Sequence, residues 1–436
     1  MASLVFFRVA FGVVMLAAVG RYFAYGWIDS LFVRPRFFFA YPGFEWVQPW
    51  PAWGMYLHFA ALGVLAAAIV VGCFTRTALA AFALAFTWVH LLDKTIYLNH
   101  YYLVSVLAAV MSLLPMGAAG SVDAWRAPER AAARVPAWVV WVLRIQLALV
   151  YFYGGVAKLN ADWLVHGQPL RIWLAARGDL PLLGPWLELP WMAYAFSWAG
   201  AAFDLGIAPF LFWRRTRLLA YGVVVVFHVL TSLLFPIGIF PWLMIGLTPI
   251  FLDPGWPRRV HAVARAAGLP AMARAARAAG ASAGRVAVVR GERAIVAALA
   301  LHLALQATIP LRTFVATDDV AWTEEGFRFA WRVMAMEKAG TTTFRLRDPA
   351  TGLSWKVDPR AELTPLQASM MATQPDMIAD YARHLAAEAR RAGRGDVEVR
   401  ADAWVSLNGR PSRRFVDPEA DLAREARAPI LPRPGD

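Results

Sequence analysis

One lysine stands where a long apolar run meets its first ionisable residues. The run begins near Pro136, and Lys158 follows it within the stretch Tyr151–Trp163, which reads YFYGGVAKLNADW. An amine near hydrocarbon is poorly solvated, which favours its neutral form, and a neutral lysine beside an apolar cavity can act as a base towards a lipid-soluble substrate. The alternative is a lysine whose stem lies along the helix while its ammonium reaches the interface. The segment alone leaves both interpretations open.

A second polar group lies between two apolar runs, in the stretch Asp93–Tyr102, which reads DKTIYLNHYY. In one interpretation His100 carries a proton and Asn99 orients a neighbouring group. The same composition is typical of the aromatic belt that lines a membrane interface. Both interpretations stay open on these residues alone.

His228 and Asp204 lie well inside apolar runs. A buried ionisable side chain in a membrane span is costly unless it is paired, so both residues are candidates for a functional site. The alternative is a contact between helices. For His228 this would be a hydrogen bond to Thr231 or Ser232 of a neighbouring helix, and for Asp204 an ion pair with a histidine or an arginine.

The histidines show neither the HxxxH nor the HxxEH spacing of a metal site. The single cysteine, Cys73, excludes a cysteine metal cluster and an intramolecular disulfide. We therefore expect no metal. A P-loop is also absent from the sequence, so nucleotide chemistry has no support.

The composition places these residues in a membrane. The chain has 436 residues, of which 59% are hydrophobic, and its mean hydropathy is +0.48. Soluble proteins have an apolar share of about 45–50%. The net charge of +13 comes mainly from arginines in loops between apolar runs, the pattern of cytoplasmic loops. We expect a multi-pass protein of the inner or cell membrane, in contact with the lipid bilayer and with no nucleic-acid partner.

Nine apolar runs approach the length of about 20 residues that a membrane span needs. They are Leu4–Val19, Trp53–Phe74, Ala78–Leu92, Tyr101–Met116, Ala137–Val156, Trp191–Trp213, Leu218–Phe235, Ile237–Leu252 and Ala294–Ile309. The two runs on either side of Pro236 could instead form one broken or re-entrant element. Nine spans put the arginine-rich loops on one side, including an Ala/Arg-rich stretch at 262–290 that we expect to form an amphipathic surface helix. They put Lys94, Asn99, His100 and Lys158 on the other side with the C-terminal segment, and an even number of spans would break this convergence.

The C-terminal segment has the pattern of a small α/β domain. Thr341–Arg347 and Leu353–Val357 predict a hairpin, Thr364–Ala392 a helix, and Asp396–Leu407 a strand that turns at Asn408-Gly409 into Arg413–Val416. We therefore expect a helical membrane domain of about nine spans at residues 1–309, with an arginine-rich cytoplasmic loop at 253–293. Residues 310–436 would form an extracytoplasmic α/β domain.

Together the motifs resemble the vitamin K-dependent gamma-carboxylases. Five stretches carry the resemblance, in the family's order: Asp93–His100, Gly154–Trp163, Phe227–Phe240, Gly326–Met334 and Asp402–Pro418. The resemblance implies an enzyme that oxygenates reduced vitamin K, a naphthohydroquinone, to its 2,3-epoxide. The strong base formed in that reaction would carboxylate glutamate side chains of a peptide or protein, with O₂ and CO₂ as co-substrates. A glutamate γ-C–H is too weak an acid for any side-chain base, so the free energy must come from such an oxygenation.

The resemblance also implies roles for individual residues. Lys158 would deprotonate the quinol, and Asn99 and His100 would position or stabilise its oxygenated form. Met334, Trp331 and His228 would contact the quinone.

Two departures from the family keep alternatives open. Animal members join the membrane and outer parts by a disulfide, which Cys73 alone cannot form, and the family's basic substrate-binding position near Met334 reads as Lys338. One alternative is therefore a quinol epoxidase that carboxylates no protein. The other is a non-enzymatic membrane protein that binds a quinone or a lipid.

Overall fold

The membrane domain is a bundle of helices that follow the apolar runs of the sequence. A computed structural model of the chain describes residues 1–266, 285–315 and 319–431. The main helices of the bundle are α1 (Ala2–Ala24), α2 (Ala52–Val71), α3 (Thr75–Leu91), α4 (Asn99–Leu113), α5 (Ala137–Val156), α6 (Pro190–Phe212), α7 (Arg217–Leu234), α8 (Phe240–Leu247) and α9 (Glu292–Thr308).

Each predicted span coincides with one of these helices, but they differ in length. Six helices of the described chain are long and apolar enough to cross a membrane, namely α1, α2, α5, α6, α7 and α9 with its 3₁₀ extension to Phe314. The other three predicted spans are helices of 17, 15 and 8 residues. Fifteen residues give a helix of about 22 Å, which is shorter than a hydrocarbon core of about 30 Å. The fold is therefore that of a polytopic helical membrane protein that combines six long apolar helices with shorter ones among the described residues.

The predicted eighth span is broken by proline. It begins as α8 with Pro241 in its first turn and continues as a 3₁₀ helix, Thr248–Phe251, around Pro249. A proline lacks the N–H that an α-helix needs in its interior. The chain between α7 and α8 contains Pro236 and Gly238, so the two elements are separate helices, as the first of the two sequence interpretations expects.

Helices α1 and α5 form the centre of the bundle. Helix α1 packs against α2 and α8, and α5 packs against α6 and α9. Half or more of the apolar window of α1 and α5 is buried, whereas α7 and α9 expose most of theirs. Exposed leucines such as Leu218, Leu219 and Leu233 on α7 show the face that meets lipid.

The arginine-rich loops lie together at one end of the bundle. Arg76, Arg126, Arg130 and Arg285 line a single cavity there. The predicted surface helix at 262–290 is described only in part. A helix spans Trp256–Ala266, and residues 267–284 lie outside the described chain.

At the opposite end lies the outer domain, residues 319–431, built on a four-stranded antiparallel sheet. Its strands are β1 (Lys338–Arg347), β2 (Ser354–Val357), β3 (Glu398–Leu407) and β4 (Arg413–Arg414), in the order β2-β1-β3-β4. Phe344 on β1 pairs with Ala401 on β3 in the centre of the sheet. Alternate residues of β3 are buried against helix α11 (Pro375–Arg391).

The sequence predicted the strands of this domain well and its helix less well. The predicted turn is present: Asn408 and Gly409 both have positive φ, 51° and 76°, as a two-residue hairpin turn requires. The predicted single helix Thr364–Ala392 is wrong, because it is divided into α10 (Pro365–Met371) and α11. Pro375 has no N–H and favours the first turn of a new helix, so the chain breaks just before it.

Candidate active site

Two adjacent glycines at the end of α5 allow α6 to approach Lys158 closely. A Cβ on Gly155 would lie 2.8 Å from the backbone nitrogen of Leu205, which is closer than real Cβ contacts. A Cβ on Gly154 would lie 3.6 Å from the carboxylate of Asp204. The glycines therefore place the Asp204 side chain beside the position where α5 ends and Lys158 follows.

The Lys158 ammonium nitrogen has three hydrogen-bond acceptors. Nζ lies 2.8 Å from Oδ2 of Asp204, 2.9 Å from the carbonyl oxygen of Gly154 and 3.3 Å from that of Val333. Both charged side chains are buried. A lysine ammonium has three N–H donors and no acceptor, so the three contacts match its full donor set.

The pair lies in the wall of an apolar cavity between α5, α6, α7 and α8. Lys158 and Asp204 are the charged side chains among the described residues of this wall. The lining residues are Val150, Tyr151, Gly154, Lys158, Trp163, Leu170, Phe196, Gly200, Asp204, Phe227, His228, Thr231, Phe235, Ile237, Phe240, Val333 and Met334. The cavity volume is about 80 Å³. An engineered cavity that admits benzene has a volume of about 150 Å³, so a two-ring ligand requires these side chains to move apart.

His228 is held in this wall by a tyrosine of α5. The hydroxyl of Tyr151 lies 3.2 Å from Nε2 of His228 and 3.4 Å from the hydroxyl of Thr248. The predicted partners of His228 are wrong, because Thr231 and Ser232 donate to carbonyls of their own helix instead. The other ring nitrogen of His228, Nδ1, is buried and has no hydrogen-bond partner among the described residues.

A short segment of the outer domain closes the cavity. This segment, residues 329–334, is called the strap. Three of its non-glycine residues have positive φ: Phe329 at 64°, Trp331 at 54° and Met334 at 49°. Left-handed backbone in non-glycine residues is strained, and such residues cluster at sites where the surrounding structure holds them.

Three polar contacts hold the strap on the membrane domain. The Asn99 amide donates to the carbonyl oxygen of Arg332 at 3.1 Å, and the backbone N–H of Phe329 donates to the hydroxyl of Tyr97 at 2.6 Å. The Lys158 ammonium donates to the next carbonyl, that of Val333. Asn99 and Lys158 therefore bind two successive peptide groups.

The structure brings some of the predicted site residues together and separates others. Lys158, His228 and Met334 line one cavity. Trp331 is fully buried and packs on Tyr102, with ring centroids 4.8 Å apart, so it supports the strap and does not line the cavity.

Asn99 and His100 lie behind the cavity wall. Asn99 reaches the site through the strap carbonyl. His100 packs behind Phe240, with ring centroids 5.9 Å apart, and it is the Phe240 ring that lines the cavity.

A polar cavity lies on the other side of the strap. Its volume is about 490 Å³, and it is lined by residues of both domains, among them His166, Arg332, Asn408, Arg410 and Arg413. Met334 faces the apolar cavity, whereas Arg332 faces the polar one. The strap is thus the wall between an apolar chamber and a polar chamber that holds both arginines and aspartates, Asp162 and Asp319 among them.

A set of polar contacts, called the docking seam, fastens the outer domain to the membrane domain. Lys94 donates to Asp376 at 3.0 Å and to Asp380 at 2.5 Å. Asp162 binds Arg410 and accepts from the Asn408 amide at 2.7 Å. The predicted convergence of Lys94, Lys158 and the C-terminal segment on one face is therefore what the structure shows.

One further contact belongs to the docking seam, in which the amide of Gln367 donates to Asp93 at 2.7 Å. Within the outer domain, Arg328 reaches Asp376 at 2.9 Å. Burial opposes ionisation of Asp376, but the cations of Arg328 and Lys94 outweigh it and hold the pKa of this carboxyl well below its usual range.

Lys338 is not available to a substrate. Its ammonium nitrogen donates to Glu324 at 3.0 Å and to the carbonyl oxygens of Trp322 and Thr373 at 3.0 Å and 2.5 Å. Burial lowers the pKa of Lys338, against the opposing charge of Glu324. Lys338 therefore stabilises the outer domain by joining three of its segments.

The described residues include one group of side chains with the spacing of metal ligands. Glu362, His384 and Glu388 belong to the outer domain. His384 Nε2 lies 2.9 Å from Oε1 of Glu362, and Glu362 also accepts from Tyr381 at 3.0 Å. These hydrogen bonds account for the cluster without an ion, and none of the three residues lines the apolar or the polar cavity.

Comparison with known proteins gives two family matches. A family model described as HTTM domain matches residues 1–256. A second, described as the lumenal domain of vitamin K-dependent gamma-carboxylase, matches residues 291–432. No solved structure matches the chain.

Proposed function

We propose that this chain, which belongs to the vitamin K-dependent gamma-carboxylase family through its HTTM domain and lumenal domain, oxygenates a membrane-dissolved naphthohydroquinone and carboxylates glutamate side chains. The observation that carries the proposal is the buried Lys158–Asp204 pair in the wall of an apolar cavity. Lipid-soluble quinols need apolar walls, and their hydroxyls need a proton acceptor. The cavity supplies both.

The side chains of the cavity wall suit a quinol ring in their chemistry, once they move apart to admit it. Aromatic side chains form much of the wall, and the orphaned Nδ1 of His228 offers a polar contact to a ring oxygen. The bound quinol would supply, through its oxygenation to the 2,3-epoxide, the strong base that removes a γ-proton from glutamate before CO₂ adds. The chain's own residues would deprotonate the quinol at Lys158 and keep the chamber dry.

The polar cavity is where an acidic peptide would approach. Arg332 and Arg413 have guanidinium groups that suit a carboxylate, in a wall that also holds Asp162 and Asp319, and the strap that separates this cavity from the apolar one is a single layer of chain. Both cavities lie on the outer-domain side of the bundle. We infer that the active site faces the non-cytoplasmic side, where Lys158 and the outer domain meet.

The first experiment measures epoxide formation. Purified protein in nanodiscs is given reduced vitamin K and oxygen, and the 2,3-epoxide is quantified by chromatography. We expect wild type to form epoxide and Lys158→Ala to lose at least about a hundredfold of the rate, as removal of a catalytic acid–base group typically does. Lys356→Ala removes an exposed lysine of β2 and should retain full activity. Equal rates for wild type and Lys158→Ala would rule out the role of Lys158.

One observation favours a second candidate, a quinol epoxidase that does not carboxylate protein. Lys338 stands at the family's basic substrate-binding position, but its ammonium already forms an ion pair with Glu324. Incorporation of labelled bicarbonate into glutamate-containing peptides separates the two candidates. Label in the peptide supports the carboxylase, whereas epoxide without label supports the epoxidase. Quinol binding with no epoxide at all would indicate a non-enzymatic binding protein.

A further inference from the structure

The Lys158 ammonium has no free lone pair in the geometry of this site. Its three protons point to the Gly154 carbonyl, the Val333 carbonyl and the Asp204 carboxylate. An ammonium is not a base, so it cannot take up a further proton. Of the three acceptors around Nζ, the Asp204 carboxylate is the one that can take up a proton.

We propose that Asp204 is the final proton acceptor of the site and acts through Lys158. This inference rests on the proposed quinol chemistry. One N–H bond of the Lys158 ammonium breaks and that proton forms an O–H bond at Oδ2 of Asp204. The amine then turns about its Cε–Nζ bond so that its free electron pair faces the quinol, a quinol O–H bond breaks, and its proton forms a new N–H bond at Nζ. The electron pair of the broken O–H bond stays on the quinol oxygen.

Charge conservation in a dry site supports this transfer. Before it, the buried charges are the Lys158 cation and the Asp204 anion. After it, they are the Lys158 cation and the quinol anion, while Asp204 is neutral. The number of buried charges therefore stays the same, and each anion is next to the same cation. If Asp204 remained ionised beside a new anion, the site would hold an additional unpaired charge, which costs several kcal/mol in low dielectric.

The surroundings leave few other acceptors. The remaining titratable groups of the described cavity wall are Tyr151 from α5 and His228 from α7, which bind each other through Nε2 of His228, while Nδ1 of His228 has no partner among the described residues. The strap and α8 contribute only Val333, Met334 and Phe240 to the wall. Asp204 is thus a positioning residue that receives the proton passed on by Lys158.

The test uses Asp204→Asn, which keeps a side chain of nearly the same shape but cannot accept the proton. Infrared difference spectra are recorded when reduced vitamin K is added to the protein without oxygen. Wild type should show the carbonyl band of a newly protonated carboxyl group, and Asp204→Asn should lack it. Wild type that binds the quinol as its anion without this band would overturn the proposal.

The pH profile of epoxide formation gives a second readout. In Asp204→Asn no carboxylate takes up the proton that Lys158 passes on, so hydroxide must remove it and the rate should rise with pH. Wild type should show no such rise. The control Asp123→Asn makes the same change in a carboxylate at the arginine-rich face and should retain the wild-type profile. A wild-type rate and profile in Asp204→Asn would contradict the proposal.

A conservative variant covers the case in which Asp204→Asn does not fold. Asp204→Glu retains a proton acceptor and should show the carboxyl band and a flat pH profile at reduced rate. Loss of both features in a folded Asp204→Glu protein would overturn the proposal. Failure of the proposed function gives a different result, because then wild type itself makes no epoxide.

Discussion

At the scale of single residues, the site depends on contacts between segments that are distant in the chain. Lys158 binds its own helix end through Gly154, α6 through Asp204 and the strap through Val333. Each contact takes one N–H of the ammonium. The position of the amine is therefore fixed by three elements at once, as the geometry of proton transfer requires.

Arg332 offers a test of the polar cavity at this scale. Arg332→Gln removes the guanidinium but keeps the backbone carbonyl that Asn99 binds. We expect KM for a glutamate-containing peptide to rise about tenfold, because a charge-assisted hydrogen bond contributes about 1.5 kcal/mol. The measurement is carboxylation at varied peptide concentration. Arg345→Gln, an exposed change on β1, is the control, and an unchanged KM in Arg332→Gln would place the peptide elsewhere.

The sequence predicts the ionisable residues of the site better than it predicts their partners. Lys158, His228 and Met334 were expected to meet, and they line one cavity. Asp204 was expected to pair with a histidine or an arginine, and it pairs with Lys158. An acid inside an apolar run signals that a partner exists. Which helix supplies that partner depends on the packing of the bundle, and periodicity in one segment does not contain that information.

At the scale of elements, the contact between α5 and α6 controls the site. Its closeness depends on Gly155, where any side chain would collide with the backbone of Leu205. Helices that approach this closely in membranes are typically lined by small residues. The distance between Lys158 and Asp204 is therefore set by a glycine one turn away.

Gly155→Ala should separate the two helices. We expect a loss of about 1–3 kcal/mol in stability from overpacking, together with a large loss of epoxide formation. Gly222→Ala is the matched control, since a Cβ at that position on α7 meets nothing within 4 Å. Thermal denaturation in detergent and the epoxide assay measure the two effects. Equal behaviour of the two variants would show that the approach of α5 and α6 is not limiting.

Element boundaries could be predicted where proline or a charge marks them. The expected span Ala137–Val156 is the observed α5, because Pro136 precedes it and the glycines and Lys158 end it. Three other expected spans form helices shorter than a bilayer, since apolar composition reports burial in protein as well as in lipid. The strap was not predicted as an element at all, because its left-handed residues are held by contacts with the membrane domain.

At the scale of the whole molecule, the docking seam keeps the outer domain over the cavity. Lys94 is buried between Asp376 and Asp380, and Asp376 also binds Arg328. Removal of one partner of such a network leaves another charge buried and unsatisfied.

Asp376→Asn should loosen the docking seam. We expect a loss of about 2 kcal/mol in stability, because hydrogen bonds to charged groups contribute about 1.5–3 kcal/mol. Protease sensitivity of the junction and thermal denaturation measure the effect. Arg391→Gln is the control on the same helix, because it breaks only an exposed ion pair with Glu388. If both variants denature alike, the seam does not hold the domains together.

The docking seam should also give a characteristic acid response. The pKa of Asp376 is depressed in the folded protein, so its contribution is fully present above the unfolded carboxyl pKa of about 3.9 and is lost as pH falls below that value. Burial raises the pKa of Asp380 despite Lys94, so its contribution has the opposite sign. Stability measured from about pH 6 to pH 3 should fall more steeply in wild type than in Asp376→Asn. Parallel curves would contradict this account.

The docking seam has a practical consequence for a protein proposed to consume a reduced quinol. Its domains are joined by carboxylates, amides and cations, and the one cysteine, Cys73, is a free thiol. Dithiols that regenerate quinol from quinone would cut a disulfide between the domains, but they leave these contacts intact. A dithiol reductant added to the assay should therefore leave the junction between the domains intact.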